Sequence, residues 1–201
     1  MTQPATIEFW YEFASTYSYP ATMRLEQRAA AKGVVVRWRP FLLGPIFKGQ
    51  GWSDSPFNLQ PVKGRYMWRD LERLCARDGL DWTRPSLFPR NGLLAARIAI
   101  QIEGDGPAVA AFSKAVFRAN FVEDRDISDP ALMAAILASQ HLPSDLLART
   151  SSPEVKEALR RRGETALDLG IFGAPSFVAA GELFWGGDRL DDALDWALCH
   201  A

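Results

Sequence analysis

The chain has 201 residues, 48% of them apolar, and a net charge of −1 with acids and bases interspersed. That apolar mass suffices for a substantial core in one large or two small domains, and no basic field exists to hold a nucleic-acid backbone. No apolar run is long enough to span a bilayer, and Met1–Pro4 lacks the positive and apolar regions of a signal peptide, so a soluble cytoplasmic protein is expected.

Thr6 to Phe13 reads as a buried strand, and Ala14-Ser15-Thr16-Tyr17-Ser18-Tyr19 follows it directly. A helix is expected from Ser18 to Lys32, ended by Gly33, and a second strand from the β-branched Val34 to Phe41. The order implies a parallel pair with a right-handed crossover. The stretch from Leu43 to about Pro61, rich in Gly, Pro and Ser, reads as a long loop of the functional or lid-like kind. Helices are then predicted over Lys63–Arg77, Asn91–Glu103, Pro107–Phe121, Asp129–Ala138, Ser144–Ala148 and Pro153–Leu169. Asp129-Pro130 and Ser152-Pro153 place a capping residue before Pro at the first helical position, and Asn91 and Ser144 are plausible caps too. Strand character returns at Pro175–Ala179 and Leu183–Trp185 around the turn Ala180-Gly181-Glu182, and a helix from Asp188 to Leu198 closes the chain. This order gives an α/β, thioredoxin-like fold with an all-helical insertion. Residues 1–60 and 150–201 would form the thioredoxin-like domain and 61–149 the insertion.

The two cysteines, Cys75 and Cys199, are far apart, and Cys75 falls on the apolar face of a helix with Leu71 and Leu74. Neither they nor His141 and His200 make a redox motif or a metal cluster. In thioredoxin-like proteins a Cys-x-x-Cys occupies the turn after the first strand, because a helix N-terminus stabilises a thiolate. Here the four residues are Ser15-Thr16-Tyr17-Ser18. A sulfur anion at this turn must arrive on a ligand, which points to a glutathione-using enzyme rather than a disulfide exchanger. Ser15 itself reads either as a helix cap or as a hydroxyl that donates to a bound thiolate. A nucleophilic role is disfavoured, because no GxSxG turn or well-placed His accompanies it.

Two further segments carry open alternatives. Ala174-Pro175 is either a strand-initiating proline or a cis-proline that presents backbone groups to an extended peptide such as glutathione. In Phe184-Trp185-Gly186-Gly187-Asp188-Arg189 the glycines and Asp188 either cap the last helix or bind a carboxylate–ammonium pair.

Taken in order, these motifs, with Pro40-Phe41-Leu42-Leu43-Gly44, Lys63-Gly64-Arg65-Tyr66-Met67 and Asp126-Ile127-Ser128-Asp129-Pro130, resemble the 2-hydroxychromene-2-carboxylate isomerase family. That family is close kin to the kappa-class glutathione transferases within the DsbA-like group, and the likeness covers almost the whole chain. It implies a soluble, usually dimeric enzyme with glutathione as cofactor and a small aromatic carboxylate as substrate. The thiol would serve as a transient nucleophile toward a conjugated chromene, allowing ring opening and bond rotation without redox change or metal. By position, Ser15 would contact the sulfur, and Ala174 before Pro175 would pair with the cysteinyl backbone. Gly187 and Asp188 would hold the γ-glutamyl end, and Lys63 would lie near the glycine carboxylate. Pocket walls would come from Trp10, Tyr17, Phe47, Trp52, Phe57 and Phe88, with Arg90 or Asn91 as polar anchor. Two residues depart from the pattern: Thr16 stands where kappa transferases usually have Pro, and Ser53 or Asp54 where relatives often carry a glutathione-contacting Asn. A kappa-like transferase and a non-catalytic glutathione- or peptide-binding module are the alternative functions.

Overall fold

The computed structural model describes residues 4–201; Met1–Gln3, and with them most of the Met1–Pro4 segment read for a leader, lie outside the described residues. Four strands, β1 (Thr6–Tyr11), β2 (Val35–Pro40), β3 (Ser176–Ala179) and β4 (Glu182–Trp185), form one sheet in the order β2-β1-β3-β4. β1 and β2 are parallel, with Phe9 opposite Trp38, and α1 (Ser18–Ala31) forms the crossover between them. β3 runs antiparallel to β1, with Phe9 opposite Phe177, and β4 antiparallel to β3. The fold is thioredoxin-like, with a helical insertion between β2 and β3.

Alternation along β1 divides the interior. Ile7, Phe9 and Tyr11 face the main core, where Phe9 stacks on Tyr11 at 5.0 Å and on Phe177 at 5.4 Å. That core is continuous from the sheet into Phe112, Phe117 and Phe121 of α6 (Gly106–Phe121). Trp10 faces the other way and joins Phe41, Ile46, Ala166, Ile171 and Ala174 in a second core. Burying side chains of this size is worth roughly 1.5–3 kcal/mol each. The Tyr11 hydroxyl, deep in the main core, shares a 2.8 Å hydrogen bond with Ser113, and burial holds its ionisation above the ordinary tyrosine range.

The stretch from Leu43 to Pro61 is not an irregular loop. It contains α2 (Leu43–Gly49) and α3 (Pro56–Leu59), the latter capped by Ser55, whose hydroxyl accepts from Phe57 N at 3.3 Å. Short helices with Gly and Pro inside them leave no clear periodicity to read. The remaining helices are α4 (Pro61–Asp78), α5 (Leu93–Ile102), α7 (Pro130–Ser139), α8 (Asp145–Arg149), α9 (Pro153–Asp168) and α10 (Leu190–Cys199). Asp129 and Ser152 cap α7 and α9 as expected.

Three caps differ from expectation. Gly92, not Asn91, stands at the N-cap of α5, and Asn91 Oδ1 accepts from Leu93 N at 2.9 Å one step further out. Ser144 stands before α8 without a capping side-chain bond. Asp188 is not a cap, because a one-turn 3-10 helix, Gly187–Arg189, precedes α10 and absorbs it.

Candidate active site

The site grows from the end of β1. After Tyr11 the chain turns through Glu12–Tyr17, closed by a 3.0 Å bond from Ser15 N to Glu12 O, and enters α1. Ser15 Oγ accepts from Ser18 N at 3.2 Å and donates to Ala174 O at 2.9 Å. The hydroxyl therefore acts as a local cap and as a bridge to the opposite loop at once. The Ala174–Pro175 peptide is cis. Its loop is held from within by Ser176 Oγ donating to Gly173 O at 2.9 Å, and from the hairpin by Gly186 N donating to Pro175 O at 2.9 Å.

Gly186 has φ +107°, a conformation that L side chains rarely adopt, and it turns the chain so that Gly187 lies against α1. A Cβ on Gly187 would meet Arg24 Nη2 at 3.3 Å, Ala21 Cβ at 3.5 Å and Tyr17 O at 3.8 Å. Arg24 on α1 donates to Gly187 O and pairs with Asp78 at 3.4 Å. Ser15, Tyr17, Ala174, Pro175 and Gly187 are thus brought together around the start of a 14-residue helix, whose N-terminal dipole favours negative charge.

Tyr17 leaves this ring toward the helical layer. Its hydroxyl donates to Asp70 Oδ2 at 3.2 Å, and Asp70 in turn pairs with Arg73 at 2.9 Å. Burial first, and the Asp70 charge second, hold the phenol above its ordinary range, so it stays protonated. The Tyr17 ring lies 6.1 Å from that of Phe57, and Lys63 Nζ sits over the Phe57 ring, 5.7 Å from its centroid. Lys63 is exposed and reaches the site through this aromatic contact. Phe47 and Trp52 pack on each other at 5.4 Å along the same segment. Asp54 directs its oxygens to local donors, Ser55 N at 2.6 Å and Asn58 Nδ2 at 3.0 Å.

Several expected residues stand elsewhere. Arg90 is no free anchor: it is buried, pairs with Asp124, and donates to Asn120 O and Oδ1 at 3.1 Å. Asn120 then donates to Phe13 O at 3.0 Å, so Arg90 supports the site turn from behind. Trp10 is fully buried in the second core and is no wall of an open pocket, with Arg162 5.5 Å from its ring. Phe88 packs edge-on against Trp68 at 4.9 Å. Asn91 is exposed and its carbonyl is spent on the start of α5. Asp188 is exposed beside Arg189 at 3.1 Å.

Three residues escaped the sequence reading: Arg24, Asp70 and Glu12. The first two lie on helix faces where charge is unremarkable. Glu12 carried a visible signal, a lone acid between Tyr11 and Phe13 at the end of an apolar strand. It is 6% exposed; Oε2 accepts from Leu43 N at 2.8 Å, and Oε1 lies 3.5 Å from Ala14 N. Burial raises its carboxyl to about 7 against the opposing pull of those two N–H groups. Cys75 is buried in the main core and Cys199 is exposed.

Comparison with known proteins adds the family context. A profile of the DSBA-like thioredoxin domain matches residues 6–195. A 2-hydroxychromene-2-carboxylate isomerase of Sphingobium xenophagum is 30% identical over 188 residues, covering 92% of this chain and 94% of that protein. Glutathione S-transferase kappa 1 of Homo sapiens is 26% identical over 202 residues, covering 94% of this chain and 88% of that one. A solved structure of a 2-hydroxychromene-2-carboxylate isomerase superposes with a TM-score of 0.85 at 24% identity over 96% of each chain, a likeness of fold.

Proposed function

The chain belongs to the DSBA-like thioredoxin family, in the group of the 2-hydroxychromene-2-carboxylate isomerases, and from that premise we propose that it is a glutathione-dependent isomerase of an aromatic carboxylate. The observation that carries this reading is the Ser15 hydroxyl, 2.9 Å from Ala174 O at the start of α1, in a turn without cysteine. The residues there fit a thiol-bearing peptide. A hydroxyl that already donates across the site can turn its proton to a sulfur anion, and the helix dipole favours the same charge. The cis-proline loop offers backbone to a peptide, and the Gly186-Gly187 bend brings its backbone close against α1.

Ser15 would hold the thiolate, Ala174 and Pro175 the cysteinyl backbone, Gly187 and Asp188 the γ-glutamyl end, and Lys63 the glycine carboxylate. Bound glutathione supplies a nucleophilic sulfur for reversible addition to a conjugated substrate. The protein's own part is to stabilise the sulfur charge at Ser15, to keep the Tyr17 hydroxyl protonated on Asp70, and to present Phe47, Trp52 and Phe57 to a planar ring. We place it as a cytoplasmic homodimer in aromatic catabolism. The similarity to a kappa-class transferase favours a second reading, conjugation of glutathione to electrophiles.

Calorimetric titration with reduced glutathione, wild type against Ser15→Ala, tests the common premise. Saturable binding with a thiolate absorbance lost in the variant supports it, and no binding at millimolar thiol overturns it. Isomerisation of 2-hydroxychromene-2-carboxylate then supports the first reading, and turnover of chlorodinitrobenzene alone the second.

A further inference from the structure

The segment from Leu43 to Leu59 is fastened to the site turn at two points. At its start, Leu43 N donates to Glu12 Oε2 at 2.8 Å. Near its end, the Phe57 ring meets that of Tyr17 at 6.1 Å. Between these points the segment carries Phe47 and Trp52. Glu12 also reaches toward Ala14 N, the residue before Ser15, so one buried carboxyl joins the turn that carries Ser15 to the start of that segment.

We propose that Glu12 is a positioning residue of the site, a carboxylate whose charge fastens α2 to the Ser15 turn. Two negative oxygens accept from two backbone N–H groups on two different elements. A protonated carboxyl keeps one good acceptor and must place a donor where both neighbours are donors, so one fastening is lost. Glu12 has no ion-pair partner among the described residues. On β1, which leads into Glu12, the nearest charge, Glu8, is paired with Arg39 of β2 at 2.7 Å. On α2 the one charged side chain, Lys48, is exposed at the far end. On the segment that brings Gly92 against Glu12, Arg90 is turned away to Asn120 and Asp124, and α6 offers the neutral Asn120. With no cation at hand and burial against it, the group titrates near neutrality, at about 7, where an exposed glutamate is fully ionised.

The role rests on the glutathione reading for its consequence in turnover, but the fastening itself does not. The test therefore has one arm free of any ligand. Hydrogen exchange of peptides covering residues 41–50, corrected for intrinsic rates, is followed from pH 8 to pH 6 in wild type, Glu12→Gln and Glu12→Asp. Protection of α2 against the local opening that breaks the Leu43 bond while the carboxyl stays buried is expected to fall several-fold in wild type as Glu12 takes up its proton, through an apparent pKa near 7, and to be independent of pH in Glu12→Gln, whose amide oxygen still accepts from Leu43. Protection that does not change with pH in wild type, or that changes equally in Glu12→Gln, overturns the proposal. In the second arm the KM for glutathione is expected to rise several-fold over the same range in wild type and to stay level in Glu12→Gln, with kcat less affected. The thiolate absorbance, titrated separately, distinguishes the ligand's own ionisation. Failure to bind glutathione at any pH removes the functional reading and leaves the exchange arm to judge Glu12.

Discussion

Ser15 Oγ and Ala174 O lie 2.9 Å apart across 159 positions of sequence, and this contact joins the first βα turn to the hairpin that returns after the helical insertion. The hydroxyl hydrogen that bridges them is the one a bound sulfur anion would claim. Ser15→Ala removes it, and a hydrogen bond to a charged group is worth about 1.5–3 kcal/mol. Catalytic efficiency with glutathione is expected to fall roughly tenfold to a hundredfold. Stability should change by about 1–2 kcal/mol, the scale of the lost cap to Ser18 N and the lost bond to Ala174 O. Steady-state kinetics beside a urea midpoint check both, and an unchanged efficiency would remove Ser15 from the chemistry.

Arg90 gives a contrasting outcome. Its guanidinium is buried against Asn120 and Asp124 and does not enter the ring of site residues. Arg90→Met should lower stability by about 2 kcal/mol or more, since Asn120 and the partly exposed Asp124 are left with one partner fewer. A variant that remains folded should keep a wild-type KM for the proposed aromatic carboxylate. A large rise in KM at undiminished stability would restore Arg90 as a substrate anchor.

The fold was legible because each element carried its own signal. The apolar β1, the β-branched β2, Gly33 after α1 and the Asp-Pro and Ser-Pro starts of α7 and α9 are local features. So were the turn at Ser15 and the proline at 175, which one sequence motif each announces. What was not legible depends on which way a side chain points after folding. Trp10 and Tyr11 are neighbours in sequence, yet strand alternation sends them into different cores. Arg90 and Asn91 are equally polar, but one is drawn under the site turn by Asn120 and the other ends at a helix start. Short helices such as α2 and α3 offer too few turns for a period, so tertiary contacts at Leu43 and Phe57 define them instead.

Gly92 measures how tightly the Glu12 carboxyl is packed. A Cβ there would stand 2.7 Å from Glu12 Oε1 and 3.2 Å from Phe13 Cβ, inside the turn that leads to Ser15. Gly92→Ala forces the carboxyl or the turn to shift and should destabilise by about 1–3 kcal/mol, the range for overpacking. Gly163→Ala, in the middle of α9 with nothing within 4 Å, is the control and should be neutral or stabilising by up to about 1 kcal/mol. Denaturant midpoints of the two variants compare them directly, and equal stabilities would mean that the Glu12 contact is loose.

The pH dependence of stability isolates Glu12 most cleanly. Its folded pKa is raised to about 7 from the ordinary glutamate value of 4.5, with burial the largest cause. Between those two values the folded chain binds a proton that the unfolded chain has released, so stability declines as pH rises through this window. The contribution is fully present below about pH 4.5 and lost above about pH 7, and amounts to about 3 kcal/mol over the interval. Glu12→Gln cannot lose that proton. The stability difference between variant and wild type should therefore move in the variant's favour by about 3 kcal/mol from pH 4 to pH 8, with other carboxylates cancelling in the comparison. Denaturant titrations at matched ionic strength measure it. A difference that stays constant with pH would mean that Glu12 ionises as freely as a surface glutamate, and that the buried carboxyl between Leu43 N and Ala14 N is better solvated than its 6% exposure implies.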